Sequence, residues 1–307
     1  MDRRYSVLLA LTVVVAATCM VFISAQSDSD TSEGAFIVDN INYEIISGTN
    51  TVKVVALTAP NKYTGSVNVP VSIYYNSATY YVTEIGDAAF KNCSDLTSLN
   101  LSEGLTKIGT DGLNGCTRLT SISLPSTLNV IGNSSIRSCS SISSIDMSEL
   151  TTIGTYALAG CTNLSTVTFS STLTNVPDGL FRECTLLKTI SLPKVETIGQ
   201  ESFYKTGLTT IDLPNARTIA DASGGTVFGS FQGCTSLAYA SIPTITGIGI
   251  RAFQGCTALT SVTAPAVITI GISAFQSCTG LSSLYPLANL KSVGDSAFRD
   301  CTGLKSI

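Results

Sequence analysis

One step of the sequence recurs along most of the chain and constrains the fold more than any other feature. An isoleucine or valine, in most cases followed by glycine, returns at intervals of 21 to 23 residues, with one interval of 29. A fixed period in this range is typical of a solenoid, in which each repeat is one coil stacked on the next. The ten positions, which number the coils 1 to 10, are Ile85, Ile108, Ile131, Ile153, Val176, Ile198, Ile219, Ile248, Ile270 and Val293.

Each repeat carries apolar residues at the same slots. The Leu-x-x-Leu-x-Leu segment alternates at its end, which predicts a short strand whose Leu99 and Leu101 face inward in coil 1. The Gly-x-x-Ala-Phe segment predicts a turn or a short helical piece on the opposite side. One coil cannot bury its own apolar face, so the repeats are expected to stack. Proline ends the strand in several repeats, at Pro125, Pro193, Pro214, Pro243 and Pro265.

A cysteine occupies one slot in nine of the ten repeats. It lies three residues after the phenylalanine position of the Gly-x-x-Ala-Phe segment, which we call the aromatic slot. The slot is inward, so cysteine is expected to act there as a small buried apolar residue. Repeat 6 lacks it, the count is odd, and no pair has C-x-x-C spacing, so neither a metal site nor a cofactor is predicted. Buried free thiols and some disulfides between adjacent coils both remain open. The cysteines are Cys93, Cys116, Cys139, Cys161, Cys184, Cys234, Cys256, Cys278 and Cys301.

Composition excludes several classes of function. The chain has no histidine, which removes Ser-His-Asp and Cys-His catalysis and histidine metal ligands. The net charge is −4, which does not favour nucleic acid as a partner. The acidic residues are scattered without a recurrent pair, so no enzyme is predicted. A carboxylate-dependent glycosidase is the weakest alternative.

The first 25 residues differ from the rest of the chain. A basic MDRR start precedes an apolar run from Val7 to Ile23, and Ile-Ser-Ala precedes Gln26. We predict a secretory signal over residues 1–25, cleaved after Ala25. The alternative is an uncleaved signal anchor, because the run is nearly long enough to span a bilayer. Both alternatives predict a secreted or cell-surface protein.

The repeat pattern I-G-x-x-A-F-x-x-C-x-x-L-x-x-[IV]-x-[LI]-P resembles the BspA-type leucine-rich repeat of bacterial and protist surface proteins. The resemblance covers about Tyr81 to Ile307. It implies a leucine-rich-repeat-like right-handed coil of short parallel strands, with turns or short helices opposite. The segment upstream is similar to the strand-rich N-terminal module of that family. Residues 26–80 are therefore expected to form a β-hairpin cap and residues 81–307 about ten repeats of 22 or 23 residues. The last repeat stops at its strand, so an incomplete C-terminal end is also expected.

The resemblance implies a non-enzymatic binding protein, adhesin-like, that recognises an extracellular protein or glycan on the strand face. A structural coat protein without a specific ligand is the alternative. Contact with a membrane is expected only through an N-terminal anchor or a C-terminal anchor beyond this sequence. The outward strand positions are mostly serine and threonine. The exceptions Asp212, Tyr239 and Tyr285, with the nearby insertion at 221–229, form the candidate binding face.

Four Asn-X-Ser/Thr sequons support export weakly, because a chain rich in serine and threonine contains several by chance. They are candidate N-glycosylation sites in a eukaryotic host. The asparagines are Asn92, Asn100, Asn133 and Asn163.

Overall fold

The computed structural model describes residues 34–222, 228–285 and 287–305. These residues form a repeat solenoid of short strands and turns, and no α-helix occurs among them. The predicted signal over residues 1–25 lies outside the described residues.

The N-terminal cap is built from hairpins. Its turns place Asp39 and Asn40, and then Asn76 and Ser77, at φ values of 46 to 63°. Two consecutive left-handed residues are what a tight two-residue hairpin turn needs. The strands are β1 Ala35–Val38, β2 Ile41–Ile45, β3 Thr51–Val54, β4 Gly65–Val69, β5 Ser72–Tyr75 and β6 Ala78–Ile85. The expected boundary at residue 80 falls within β6.

The repeats contribute short strands, two in most coils. They are β7 Leu96–Leu101, β8 Lys107–Ile108, β9 Ile122–Ser123, β10 Val130–Ile131, β11 Ser144–Met147, β12 Thr152–Ile153, β13 Thr166–Phe169, β14 Asn175–Val176, β15 Thr197–Ile198, β16 Thr210–Asp212, β17 Thr218–Ile219, β18 Tyr239–Ser241, β19 Gly247–Ile248, β20 Ser261–Thr263, β21 Thr269–Ile270, β22 Ser283–Tyr285 and β23 Ser292–Val293.

The strands stack into two sets of parallel sheets. The long-strand face consists of β4-β7-β9, β11-β13 and β16-β18-β20-β22. The short-strand face consists of β6-β8-β10-β12, β14-β15-β17 and β19-β21-β23. Equivalent slots pair in register, as in Leu99 with Ile122. In the cap, β3 and β4 pair in parallel with β6 and β7, so they form a coil ahead of the first repeat and cover its edge.

The Gly-x-x-Ala-Phe segments are turns, not helices. Two residues in most of these turns have positive φ, such as Ala88 at 54° and Asn92 at 58°. The left-handed residues interrupt any helical run and aim alternate N–H groups along the solenoid. Ala88, Phe90 and Asn92 therefore donate to carbonyls of the next coil, whereas Gly109 on the short-strand face donates to Ile85 in the previous coil.

The Ile-Gly step has a steric cause. A Cβ at Gly154 would lie 2.3 Å from the carbonyl carbon of Gly132 and 2.4 Å from the amide nitrogen of Asn133. Real Cβ atoms essentially never come that close to backbone atoms. Glycine at this slot lets neighbouring coils approach each other.

The aromatic slot builds a continuous stack through the core. Successive rings from Phe181 to Phe298 are 5.0 to 5.5 Å apart at their centroids and are inclined by at most 20°. This spacing is close to the distance between adjacent strands, about 4.8 Å. The members are Phe181, Phe203, Phe231, Phe253, Phe275 and Phe298.

The cysteine slot is inward, as the sequence predicted, and the nine cysteines of the repeats are free thiols. Each from Cys116 onward donates its S–H to the carbonyl of the aromatic slot in the previous coil, at 2.9 to 3.3 Å. Coil 6 fills the slot with Thr206, whose buried hydroxyl lies 3.2 Å from the Cys234 sulfur. The residue missing from coil 6 is thus lost after this slot.

Candidate binding surface

The long-strand face of coils 6 to 9 is the most regular outward surface of the array. Strands β16, β18, β20 and β22 pair in parallel, with Ile211, Ala240, Val262 and Leu284 buried beneath them. Two rows of paired positions run across these strands, one on each side of the buried positions. One contains Thr210, Tyr239, Ser261 and Ser283, and the other contains Asp212, Ser241, Thr263 and Tyr285.

Two of the candidate residues lie on adjacent strands of this surface. Tyr239 pairs with Thr210 and Asp212 with Ser241, and both side chains are exposed. The Tyr239 ring is 38% exposed and its hydroxyl donates to Thr263 Oγ1 at 3.1 Å, so the ring leans from one row across to the other. Tyr285 pairs with Thr263 through its backbone, and its side chain lies outside the described part.

The described ends of the insertion, residues 221–222 and 228–229, make no described contact with Asp212 or Tyr239. Phe228, one of its two described C-terminal residues, donates its N–H to Glu201 Oε1 at 3.1 Å and stacks on Tyr204 at 4.3 Å between centroids. Both partners belong to the turn that opens coil 6. Phe228 therefore lies on the turn side, whereas Asp221 at the other end lies by the short-strand face, where its Oδ1 accepts from the Ile250 amide at 2.9 Å. The place of the insertion in the binding face stays a prediction.

A buried ion pair anchors the Phe228 end of the insertion. The Glu201 carboxylate is 5% exposed and pairs with Arg182, whose guanidinium lies 4.8 Å from the Tyr204 ring centroid. Burial, together with the Glu201 charge, raises the pKa of the nearby Tyr156 hydroxyl. Sequence reasoning missed this cluster, because its members come from three repeats. In the other repeats the same positions ordinarily hold small or solvent-exposed residues.

An open groove of about 470 Å³ lies on the short-strand face of coils 7 to 10. Gly247 stands where neighbouring coils carry Thr218 and Thr269, which leaves a gap in the row of side chains. Arg217 and Asp221 supply charges at one end of the groove, and the exposed Ile272 supplies an apolar contact. The groove is thus lined by small polar residues, two charged side chains and exposed apolar surface.

The carboxyl groups with shifted pKa values are poorly suited to acid catalysis. Hydrogen bonds from Ser126 and Thr127 hold the pKa of Glu103 below its usual value. The Lys91 ammonium does the same for Asp111. A glycosidase needs one carboxylic acid with a raised pKa, the opposite shift. No group of three potential metal ligands occurs among the described residues.

The sequon asparagines are all on the surface. Asn100 points outward from β7, and Asn92 and Asn163 are in exposed turns. The Oδ1 of Asn133 accepts a hydrogen bond from the Thr155 amide at 2.9 Å, so this side chain also holds two coils together. Glycosylation at the four sites stays a prediction.

The architecture defines the class of the protein as a solenoid of leucine-rich repeats behind a hairpin cap. The sequence model described as BspA type Leucine rich repeat region, in 6 copies, matches residues 72–187, 115–223 and 228–307. The chain therefore belongs to the BspA-type leucine-rich repeat family. No curated protein matches it. In the described residues, no helix has the length and apolarity needed to cross a membrane.

Solved structures of bacterial repeat proteins share the fold. A leucine-rich repeat protein from Bacteroides ovatus is 26% identical, with a TM-score of 0.62 over 89% of this chain and 82% of its own. A leucine rich cell surface protein from Faecalibacterium prausnitzii is 26% identical, with a TM-score of 0.67 over 90% and 83%. The pneumococcal vaccine antigen PcpA is 20% identical, with a TM-score of 0.62 over 90% and 81%, and shows the fold alone.

Proposed function

We propose that this protein is a secreted or cell-surface, non-enzymatic binding protein that recognises an extended protein or glycan on the long-strand face of coils 6 to 9. The observation that carries the proposal is the pairing of four strands in register, with Asp212 and the exposed Tyr239 on adjacent strands. The similar Faecalibacterium prausnitzii protein is described as a cell surface protein, which supports the location.

The chemistry of the surface suits an adhesin-like role. Its hydroxyl rows offer many weak hydrogen bonds, and a tyrosine supplies the large amphipathic contact on which binding energy concentrates. Asp212 adds a fixed negative charge beside it. An extended ligand crossing the strands would meet the same spacing at each coil, about 4.8 Å.

A structural coat protein without a specific ligand is the second candidate. It is favoured by the way many hydroxyls are already used between coils, as in the bonds from Ser165 to Ser143 and from Thr260 to Ala238. Such hydroxyls stabilise the array and are not free to select a ligand.

The test is a binding screen of the exported protein on glycan arrays and extracellular-matrix proteins, repeated with a double variant, Asp212→Ala with Tyr239→Ala. We expect at least one ligand whose affinity falls tenfold or more in the variant. The matched control is Ser121→Ala with Ser144→Ala, two exposed positions on the same face in coils 2 and 3. A screen without any ligand would favour the coat protein, and equal losses in both variants would contradict the placement of the site at Asp212 and Tyr239.

A further inference from the structure

The stacking of the solenoid is interrupted between coils 4 and 5. On the short-strand face, β12 ends one sheet and β14 begins another. On the long-strand face, residues 188–191 of coil 5 form no strand, and within the described residues no backbone hydrogen bond joins them to β13. On the turn side the hydrogen bonds between coils 4 and 5 are intact. The amides of Tyr156, Leu158 and Gly160 donate to carbonyls of coil 5 at 2.7 to 3.2 Å.

The core is partly open at this interruption. Positions that are buried in most other coils, including Ile145 and Ile211 in the first inward slot, are partly exposed in coil 4. Coil 4 is an interior coil, so this exposure has a local cause. The residues are Ile153, Val167, Phe169 and Leu173, together with Ile190 of coil 5.

Two substitutions in the repeat pattern explain the interruption. Pro177 stands in the glycine slot, where every other amide from Gly86 to Ala220 donates to the previous coil, and proline has no N–H to donate. Phe169 stands in the second inward slot, which holds a smaller aliphatic residue or methionine in coils 1 to 3 and 5 to 8. Its ring reaches across to Phe181 of coil 5, 5.7 Å between centroids and nearly perpendicular, so it spaces the two coils apart.

A cleft of about 270 Å³ opens on the long-strand face at this point. Val167, Phe169 and Leu192 are among its apolar walls, and Ser171 lies exposed in its lining. Lys194 also lines the cleft, is exposed, and has no ion-pair partner among the described residues. The cleft thus combines an apolar interior, unpaired strand backbone and one cation.

We propose that this cleft is a second binding site, whose ligand is an extended peptide segment of a partner protein with an apolar side chain followed closely by an acidic residue. Each part of the ligand is complementary to one part of the cleft. The backbone of β13 and of residues 189–191 that is unpaired between coils 4 and 5 pairs with an extended chain, which is how peptides add to exposed strand edges. The apolar walls take one side chain, and Lys194 pairs with the carboxylate.

The site is separate from the surface around Tyr239, so either one can fail without the other. The experiment uses a phage-displayed library of random linear dodecapeptides, selected on the exported protein. Selected peptides are then titrated against three variants. Ser171→Trp places a ring over the cleft, and Lys194→Glu reverses its charge. Ser126→Trp adds the same ring at the equivalent exposed position of coil 2 as the control.

We expect the selected peptides to share an apolar residue with Asp or Glu within the next three positions. Their affinity should fall at least tenfold for Ser171→Trp and for Lys194→Glu and stay within twofold for Ser126→Trp. Circular dichroism and the melting temperature establish that each variant is folded. Failure of any peptide to be enriched, or unchanged binding to Ser171→Trp, would overturn the site. Peptides blocked by Ser171→Trp but indifferent to Lys194→Glu would overturn the acidic part of the ligand.

Discussion

At the scale of single residues, the cysteine slot shows how one position meets two demands. The slot must be small and apolar because it is fully buried, as Cys161 and Cys256 are. It must also donate to a carbonyl of the previous coil, and the thiol is a small side chain that does both. Thr206 in coil 6 is also small and buried, but its hydroxyl donates to the Phe203 carbonyl of its own coil and lies 3.2 Å from the Cys234 sulfur.

Native thiols should resist alkylation, with one exception. Burial raises the pKa of the fully buried Cys184 and Cys256 thiols, so they stay neutral and inaccessible at pH 8. Cys301 is only partly buried and should react first with iodoacetamide. Peptide mass mapping of the folded and the unfolded protein checks this order. Modification of Cys256 in the folded protein, or a mass of the unreduced protein that shows disulfides, would contradict the conclusion that the repeat cysteines are buried free thiols.

The same thiols should make the protein sensitive to alkali. Burial raises the pKa of Cys161 and Cys278 from 9.0 to about 12, and that of Cys234 to about 11. A raised pKa contributes stability that is complete below pH 9 and is lost as the pH rises through the folded value, at roughly 1.4 kcal/mol per pH unit and group. Denaturant midpoints at pH 7.5, 9 and 10.5 should fall steeply only in the last interval. In a Cys161→Ala variant the midpoint should fall less between pH 9 and 10.5. A fall equal to that of the unmodified protein would contradict thiol ionisation as the cause.

The burial of the cysteine slot was predictable from the sequence, but its hydrogen bond was not. The cysteine recurs in phase with Phe and Leu slots, so its inward direction followed from the period alone. Its hydrogen-bond partner did not, because Cys256 bonds to Phe231, a carbonyl 25 residues away that only coil stacking brings near. The contact made by Phe228 was not predictable for a similar reason. Its anchor, Glu201, gives no local signal that a residue 27 positions later will bind it.

At the scale of the coil, two repeated contacts set the stacking distance. The glycine slot lets backbones approach on the short-strand face, and the phenylalanine stack fills the core at the same spacing. A change at either slot alters the contact between one coil and the next, as Pro177 shows in the glycine slot.

Gly154→Ala should destabilise the protein strongly. Its Cβ would overlap the backbone at Gly132 and Asn133, which cannot move without separating two coils, so we expect a loss of about 3 kcal/mol or more. Gly247→Ala is the matched control. Its nearest neighbour is the Thr269 Oγ1 at 3.1 Å, a side chain free to rotate, so the change should stay within about 0.5 kcal/mol. Chemical denaturation of both variants measures the difference, and similar losses would contradict the steric cause.

Phe253→Ala should cost about 3–5 kcal/mol, the usual loss for a large buried aromatic side chain. Phe253 is fully buried and stacks on Phe231 at 5.1 Å and on Phe275 at 5.3 Å, so its removal also ends two ring contacts. Ile272→Ala, a neighbouring exposed position, serves as the comparison and should change stability little. A small loss at Phe253 would mean that the stack is not a main source of stability.

At the scale of the whole molecule, the sheets of both faces break between coils 4 and 5, whereas only one face breaks between β9 and β11 and between β17 and β19. The solenoid and its cap were predictable, since slots and hairpin signals repeat along the sequence. The interruption was not predicted, although its causes, Pro177 in a glycine slot and Phe169 in a leucine slot, are visible in the sequence. Their effect depends on the loss of hydrogen bonds between two particular coils. The repeat period of the sequence carries no information about bonds between individual coils.

Amide hydrogen exchange should locate this interruption. Amides of residues 188–191 lack ladder partners on β13, so they should exchange much faster than those of 261–263, which lie between paired strands. Pro177→Gly restores a donor toward Ile153 and should slow exchange near 175–178. Uniform exchange along the long-strand face would contradict the interruption.

The two opposed directions of hydrogen bonding have an electrostatic consequence for the assembly. On the turn side, the Phe231, Phe253 and Phe275 amides point toward the following coil, while on the short-strand face Gly271 and Gly294 point back. Peptide dipoles aligned along an axis sum in an α-helix, but here the two columns oppose each other and largely cancel. Adding coils therefore lengthens the rod without building up charge at its ends, so its length is free of the electrostatic penalty that dipoles aligned in one direction would impose.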